Sequence, residues 1–199
     1  MTTRPEARGG AGADAGPDTG PPSGALPLTA PDGDPIAWYG RSRPVFSGGN
    51  TVRLLRGGDQ LFPAMLEAIA AARHEVWLVT YIFELDASGA RVRDALCEAA
   101  RRGVSVHVVI DGFGGGGGLD TLVARLSDEG VHALAFRPLR TWWSWFSPGQ
   151  LRRMHQKLCV VDGRTAFVGG INLIDDRHDL RHGWSEAPRL DYAVSLQGP

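Results

Sequence analysis

Between Asn50 and Phe136 the spacing of apolar residues switches repeatedly between the helical period and the strand period, and few folds accommodate that alternation. Leu61, Met65, Leu66 and Ile69 recur at helical spacing, and EVWLVTYIF from Glu75 to Phe83 then reads as a buried strand. Val92, Ala95, Leu96 and Ala99 mark a second helix that Gly103 stops, and VSVHVVI follows as a strand ending at Asp111. A third helix runs from Leu119 to Glu129, with Leu122, Val123 and Leu126 on one face; Gly130 ends it and VHALAF supplies the next strand. Strands alternating with helices in this way predict an α/β sheet covered on both faces.

The remainder of the chain reads differently. HQKLCVVDGRTAFVGG has the pattern of two strands joined at Asp162-Gly163, a pair that adopts the positive φ values of a tight turn. A last strand, LDYAVSL, begins near Leu190, so the sheet is expected to be mixed. Residues 1–44 are rich in Gly, Pro, Ala, Asp and Thr without either period, the composition of a disordered tail, and the folded domain is expected over 45–199. The end at Gly198-Pro199, with no helix after the last strand, reads as a cut or a boundary.

Charge and composition narrow the function. Twenty-one basic residues against 22 acidic ones exclude a polycation that holds nucleic acid by bulk charge. No run of eighteen apolar residues occurs and MTTRPEARGG lacks a signal-peptide core, so the expectation is a cytoplasmic chain with at most peripheral membrane contact. Cys97 and Cys159 sit in apolar stretches and read as small packed hydrophobes.

Chemistry concentrates between residues 155 and 172. His155 and Lys157 stand two apart in an expected strand and therefore share a face; Asp162 lies at the turn, and the returning strand leads to Gly169, Gly170 and Asn172. The two glycines allow close backbone approach, and all the polar groups are expected to converge. Lys157 is the only lysine, while the other twenty strongly basic residues are arginines. A compact ammonium on a flexible stem suits moving phosphoryl oxygens better than a planar fork. A neutral imidazole can attack phosphorus, dividing one displacement into two, while Lys157 and Asn172 stabilise the equatorial oxygens. No cofactor or metal is expected.

The pattern H155-x-K157-x4-D162-x6-G169-G170-x-N172 resembles the HKD signature of the phospholipase D superfamily. GGDQLFPAMLEAIAAARHEVWLVTYIFELD, RRGVSVHVVIDGFG and HQKLCVVDGRTAFVGGINL extend that resemblance, over roughly residues 50–199, to the N-terminal half of bacterial cardiolipin synthases. It implies a phospholipase D-type α/β sandwich and a phosphatidyltransferase that passes a phosphatidyl group from a phosphatidylglycerol-like lipid to an alcohol through a phosphohistidine on His155. Lys157 and Asn172 would hold the phosphate, Asp162 would shape a turn, and Asp191 would orient the imidazole. The superfamily's active site uses two HKD copies and this chain has one. The second is expected from a homodimer or from a further half of a longer enzyme. A single-motif phosphodiesterase acting on nucleic acid as a homodimer, and a phospholipase D hydrolysing lipid, are the alternatives; nucleic acid is not the expected partner.

Three tryptophans, Trp142, Trp143 and Trp145, stand near Arg137, Arg140, Arg152 and Arg153, with no acid from Gly130 to Val161. Trp beside Arg suits an anionic membrane surface, so these tryptophans and Arg153 are candidate substrate contacts with Gly169 and Gly170. Gly112-x-Gly114-x-x-Gly117 imitates a dinucleotide fingerprint, but five consecutive glycines satisfy almost any glycine spacing, and a flexible loop is expected. Asp175, Asp176, His178, Asp179 and His182 read as a solvated loop.

Overall fold

The structure, a computed structural model, describes residues 48–114, 116–138, 153–180 and 182–198. The tail at 1–44 and the three tryptophans at 142, 143 and 145 lie outside the described residues.

Strand β1 (Thr51–Arg56) leads into α1 (Gly57–Ala71), followed by β2 (Glu75–Thr80), α2 (Ala87–Arg101), β3 (Ser105–Asp111), α3 (Leu119–Asp128) and β4 (His132–Phe136). The strands β5 (Leu158–Val161) and β6 (Thr165–Gly169) form the hairpin, β7 (His178–Asp179) and β8 (Gly183–Trp184) a small ribbon, and β9 (Tyr192–Gln197) the last strand. Seven strands make one sheet in the order β1-β9-β6-β5-β2-β3-β4. β2, β3 and β4 run parallel, whereas β5 joins β2 antiparallel, with Trp77 opposite Val160.

Local sequence explains the boundaries. Asp86 caps α2 by accepting from the N–H groups of Ser88 and Gly89. Gly103 and Gly130 take φ of +88° and +85°, which a side chain would resist, and so end α2 and the turn after α3. Asp162 and Gly163 both have positive φ, as the hairpin reading requires. Two boundaries differ from expectation. β1 has no clear period in TVRLLR and was not anticipated. β2 stops at Thr80 because the Thr80 hydroxyl donates to the Ile82 carbonyl and turns the chain; only Phe83 touches strand geometry again, in a bridge to Leu173.

The core lies on one side of the sheet. Leu61, Met65 and Ile69 of α1, Val92 and Leu96 of α2, and Leu122 and Leu126 of α3 pack on Val76, Leu78, Val106, Val108, Cys159 and Phe167. The β1–β2, β2–β3 and β3–β4 crossovers all advance in one direction across the sheet, and right-handed connections of that kind place their helices on the same face. The expectation of helices on both faces therefore fails among the described residues. The opposite face carries Val52, Leu54, Trp77, Leu134 and Val168, each more than 40% exposed. Among the described residues no helix is long and apolar enough to cross a membrane.

Candidate functional site

His155 and Lys157 lie in the irregular segment entering β5, Lys157 immediately before the strand and His155 two residues further upstream. They reach the carboxyl end of β2, where the chain order reverses from parallel to antiparallel pairing, the usual place for a crevice in an open α/β sheet. Tyr81, the residue that leaves β2, organises both. Its ring centroid is 5.0 Å from that of His155, and the Lys157 ammonium stands 5.3 Å from its centre, over the ring. Nζ of Lys157 donates to the His155 carbonyl at 3.2 Å. His155 is exposed, whereas Lys157 is buried, which suits a nucleophile open to substrate beside a cation held in place. Burial pushes the Lys157 pKa below the ordinary lysine value, and the negative charge of Asp191 opposes that shift.

The far wall comes from the end of β6 and the start of β9. Gly170 donates its N–H to the Tyr192 carbonyl, and a Cβ at Gly170 would lie 2.3 Å from Oδ1 of Asp191. Gly169 is as tightly placed, its missing Cβ falling 2.5 Å from the Ala193 Cα. The paired glycines thus let β6 approach the strand that brings Asp191, as the close-approach reading required. Asn172 is fixed by its side-chain oxygen, which accepts from the Ile82 N–H at 3.2 Å and so ties it to the segment bearing Tyr81. Asn172, Arg189, Leu190 and Asp191 line a cleft of about 380 Å³.

Asp162 does not join them. It sits beyond the other end of β5, five residues from Lys157, about 16 Å along an extended strand. Its carboxylate accepts from the backbone N–H groups of Arg73, His74 and Glu75, at 2.8–3.0 Å. Burial works against its charge, but these three donors prevail and hold its pKa below the usual carboxylate value. Asp162 is thus set apart from the convergence anticipated for the motif's polar groups, because the four residues of β5 separate the turn from Lys157.

Several residues not singled out beforehand shape the site. Asp111 at the end of β3 is fully buried and accepts from the N–H groups of Phe113, Gly114 and Met154. Arg153, a candidate substrate contact, lies 3.7 Å from Asp111 and donates to the Arg137 carbonyl at 3.3 Å. The glycine loop is no nucleotide cradle: a Cβ on Gly112 would overlap Pro138, and one on Gly114 would fall 2.1 Å from the Tyr81 carbonyl oxygen. In the loop after Asn172, Asp176 accepts from the Gly58 N–H at the start of α1, its pKa raised by burial, while His178 stacks on Trp184. Burial also raises the Cys159 thiol to about 12, as befits a packed hydrophobe.

Comparison with known proteins gives one consistent result. The profile of the family described as "Cardiolipin synthase, PLD-like domain" matches residues 65–182. Cardiolipin synthase B of Salmonella typhimurium is 39% identical over 153 residues, covering 76% of this chain and 36% of that protein. Cardiolipin synthase B of Escherichia coli K12 is 37% identical over the same shares. The chain thus spans about a third of the length of these curated relatives. Among solved structures, Nuc, a phospholipase D family member from Salmonella typhimurium, superposes with a TM-score of 0.55 at 20% identity, over 75% of this chain and 84% of that one. That likeness is one of fold.

Proposed function

We propose, from the premise that this chain belongs to the cardiolipin synthase, PLD-like domain family, that it supplies one half of a phosphatidyltransferase active site. The catalytic domain is residues 45–199. His155 is the nucleophile. One ring nitrogen bonds to phosphorus of a phosphatidylglycerol-like donor while the bond to the leaving alcohol breaks, and that alcohol takes its proton from a second HKD histidine. The acceptor alcohol then gives its proton to the same second histidine and displaces His155 from phosphorus, leaving the ring as it began.

Lys157 and the Asn172 amide meet the charge on the phosphoryl oxygens, and Asp191 orients the imidazole. Asp162 keeps the hairpin turn and takes no part in the chemistry. Water in place of the acceptor gives phospholipase activity. The second histidine belongs to another copy of the chain or to a further half of a longer protein. The domain works at the cytoplasmic, anionic face of a membrane, with Trp142, Trp143 and Trp145 and nearby arginines against lipid.

The observation that carries this reading is the placement of an exposed imidazole and the chain's one ammonium on the same tyrosine ring, at the crevice end of a mixed sheet. The test is incubation with labelled phosphatidylglycerol, with and without glycerol, followed by acid-labile capture of label on the chain. Label on the wild type that vanishes in His155→Ala and Lys157→Ala supports the proposal. Undiminished transfer by His155→Ala overturns it, and cleavage of DNA without lipid turnover points to the phosphodiesterase alternative.

A further inference from the structure

Asp111 is the one fully buried carboxylate among the described residues, and the reaction proposed above gives it no task. A carboxylate taken wholly out of water is costly unless its lone pairs are all used. Here they are used by backbone from two separate segments. Oδ1 accepts from Phe113 at 2.9 Å and Gly114 at 3.3 Å, in the loop after β3. Oδ2 accepts from Met154 at 2.8 Å, the residue immediately before His155. The Arg153 guanidinium, 3.7 Å away, adds a charge partner and leans over the Phe113 ring at 5.5 Å.

Both connections end at the same imidazole. Through Met154 the carboxylate fixes the backbone that launches His155. Through Gly114 it holds the loop against the Tyr81 carbonyl, so closely that no side chain would fit between, and the Tyr81 ring is the surface that His155 and Lys157 share. We infer that Asp111 is a positioning residue: it sets the His155 ring and its Tyr81 platform in one geometry by pinning the β3 loop to the segment entering β5. It touches no substrate and acts through Met154 and Gly114. The assignment deepens the reading of His155 as nucleophile and rests on it for its catalytic consequence, though not for its geometric one.

The test separates these. The 199-residue chain is prepared with ¹³C,¹⁵N-labelled histidine, and the His155 ring signals are assigned by their loss in His155→Gln. Asp111→Asn keeps an acceptor for Phe113 and Gly114 but turns an amide NH₂ toward the Met154 N–H. Gly114→Ala leaves the carboxylate intact and drives a methyl into the Tyr81 carbonyl. Both variants are expected to shift or split the His155 ring signals while His74 and His182, at other surfaces, keep theirs. Turnover should fall about 100-fold, with KM nearly unchanged, because a misplaced nucleophile loses reaction geometry rather than substrate binding.

A purely architectural carboxylate would lower the thermal midpoint yet leave the His155 signals of the folded fraction as in the wild type; that result overturns the inference. If Asp111→Asn does not fold, Gly114→Ala decides on the same signals. If the wild-type chain transfers no phosphatidyl group, the second histidine belongs to a further half and not to another copy, while the ring signals still decide whether Asp111 positions His155.

Discussion

Gly170 and Asp191 face each other so closely that the space of a single methyl separates a backbone from a carboxylate: a Cβ on Gly170 would stand 2.3 Å from Oδ1 of Asp191. What such a methyl would meet is the tip of a side chain, which can rotate away. Gly170→Ala should therefore displace the Asp191 carboxylate and leave the sheet intact. We expect a thermal midpoint near that of the wild type and a turnover reduced on the order of 100-fold, the scale of a misplaced catalytic group. Asp191→Ala should cost a similar factor, and the double variant little more than either. Additive losses in a lipid-transfer assay would show that the two residues act separately.

Gly169 gives the opposite outcome. Its missing Cβ would collide with the Ala193 Cα and the Tyr192 carbonyl oxygen, both 2.5 Å away and both backbone. Gly169→Ala should spread β6 from β9 and cost about 1–3 kcal/mol in chemical denaturation, the scale of overpacking. A midpoint equal to that of Gly170→Ala would contradict the distinction.

Asp162→Ala should remove three hydrogen-bond acceptances and destabilise the fold by about 2 kcal/mol, while the turnover of the folded fraction stays at the wild-type value. The pH dependence follows from its depressed pKa. With the folded value below the unfolded one, the carboxylate's contribution is fully present above the ordinary aspartate value of 3.8 and is lost as pH falls through the lowered folded value. Urea unfolding at pH 7 and at progressively lower pH should show the gap between wild type and Asp162→Ala closing below that point.

Lys157 is shifted in the same direction. Burial lowers its folded pKa below the ordinary lysine value of 10.5, so the unfolded chain holds the proton more tightly and stability rises with pH between the two values. For the proposed catalysis the same shift means that the Lys157 charge is lost earlier than an ordinary lysine would lose it. The kcat/KM profile should descend on its alkaline side below pH 10.5, and Lys157→Arg should flatten that limb while lowering the rate. A descent that persists unchanged in Lys157→Arg would assign it to another group.

The sheet face that no described helix covers should announce itself in solution. Val52, Leu54, Trp77, Leu134 and Val168 all project from one face of the sheet and are exposed, and exposed apolar side chains gathered on one face favour association. The chain should bind an environment-sensitive apolar dye and associate with rising concentration. Val168→Lys together with Leu134→Lys should reduce both without lowering helix content, as followed by light scattering and circular dichroism.

Much of this was legible from residue order alone, for identifiable reasons. The helices and parallel strands follow periods that a one-sided or buried element must have, and Gly103, Gly130 and the Asp162-Gly163 turn sit where φ is positive. The nearness of Gly170 to Asp191 was signalled by paired glycines. Other features depend on contacts remote in the chain. Asp111 reads as an ordinary strand end until Met154, 43 residues later, arrives to be bound. The exclusion of Asp162 depends on the length of a hairpin arm, and the bare sheet face on the direction of three successive crossovers. TVRLLR carries no alternation because β1 lies at the sheet edge, where only Leu55 is buried.

That edge strand has a consequence for biosynthesis. Thr51 pairs with Gln197 and Arg56 with Tyr192, so β1 waits for a strand made after every other strand of the described sheet. The parallel trio β2, β3 and β4 can condense with its helices as soon as it is made, but the wall holding Asp191 forms only when β9 slots between β1 and β6. Closure of so long a loop is slow. The crevice wall that holds Asp191 is therefore the last part of the described sheet to form, and a nascent chain halted before residue 190 holds the parallel trio and its helices without that wall.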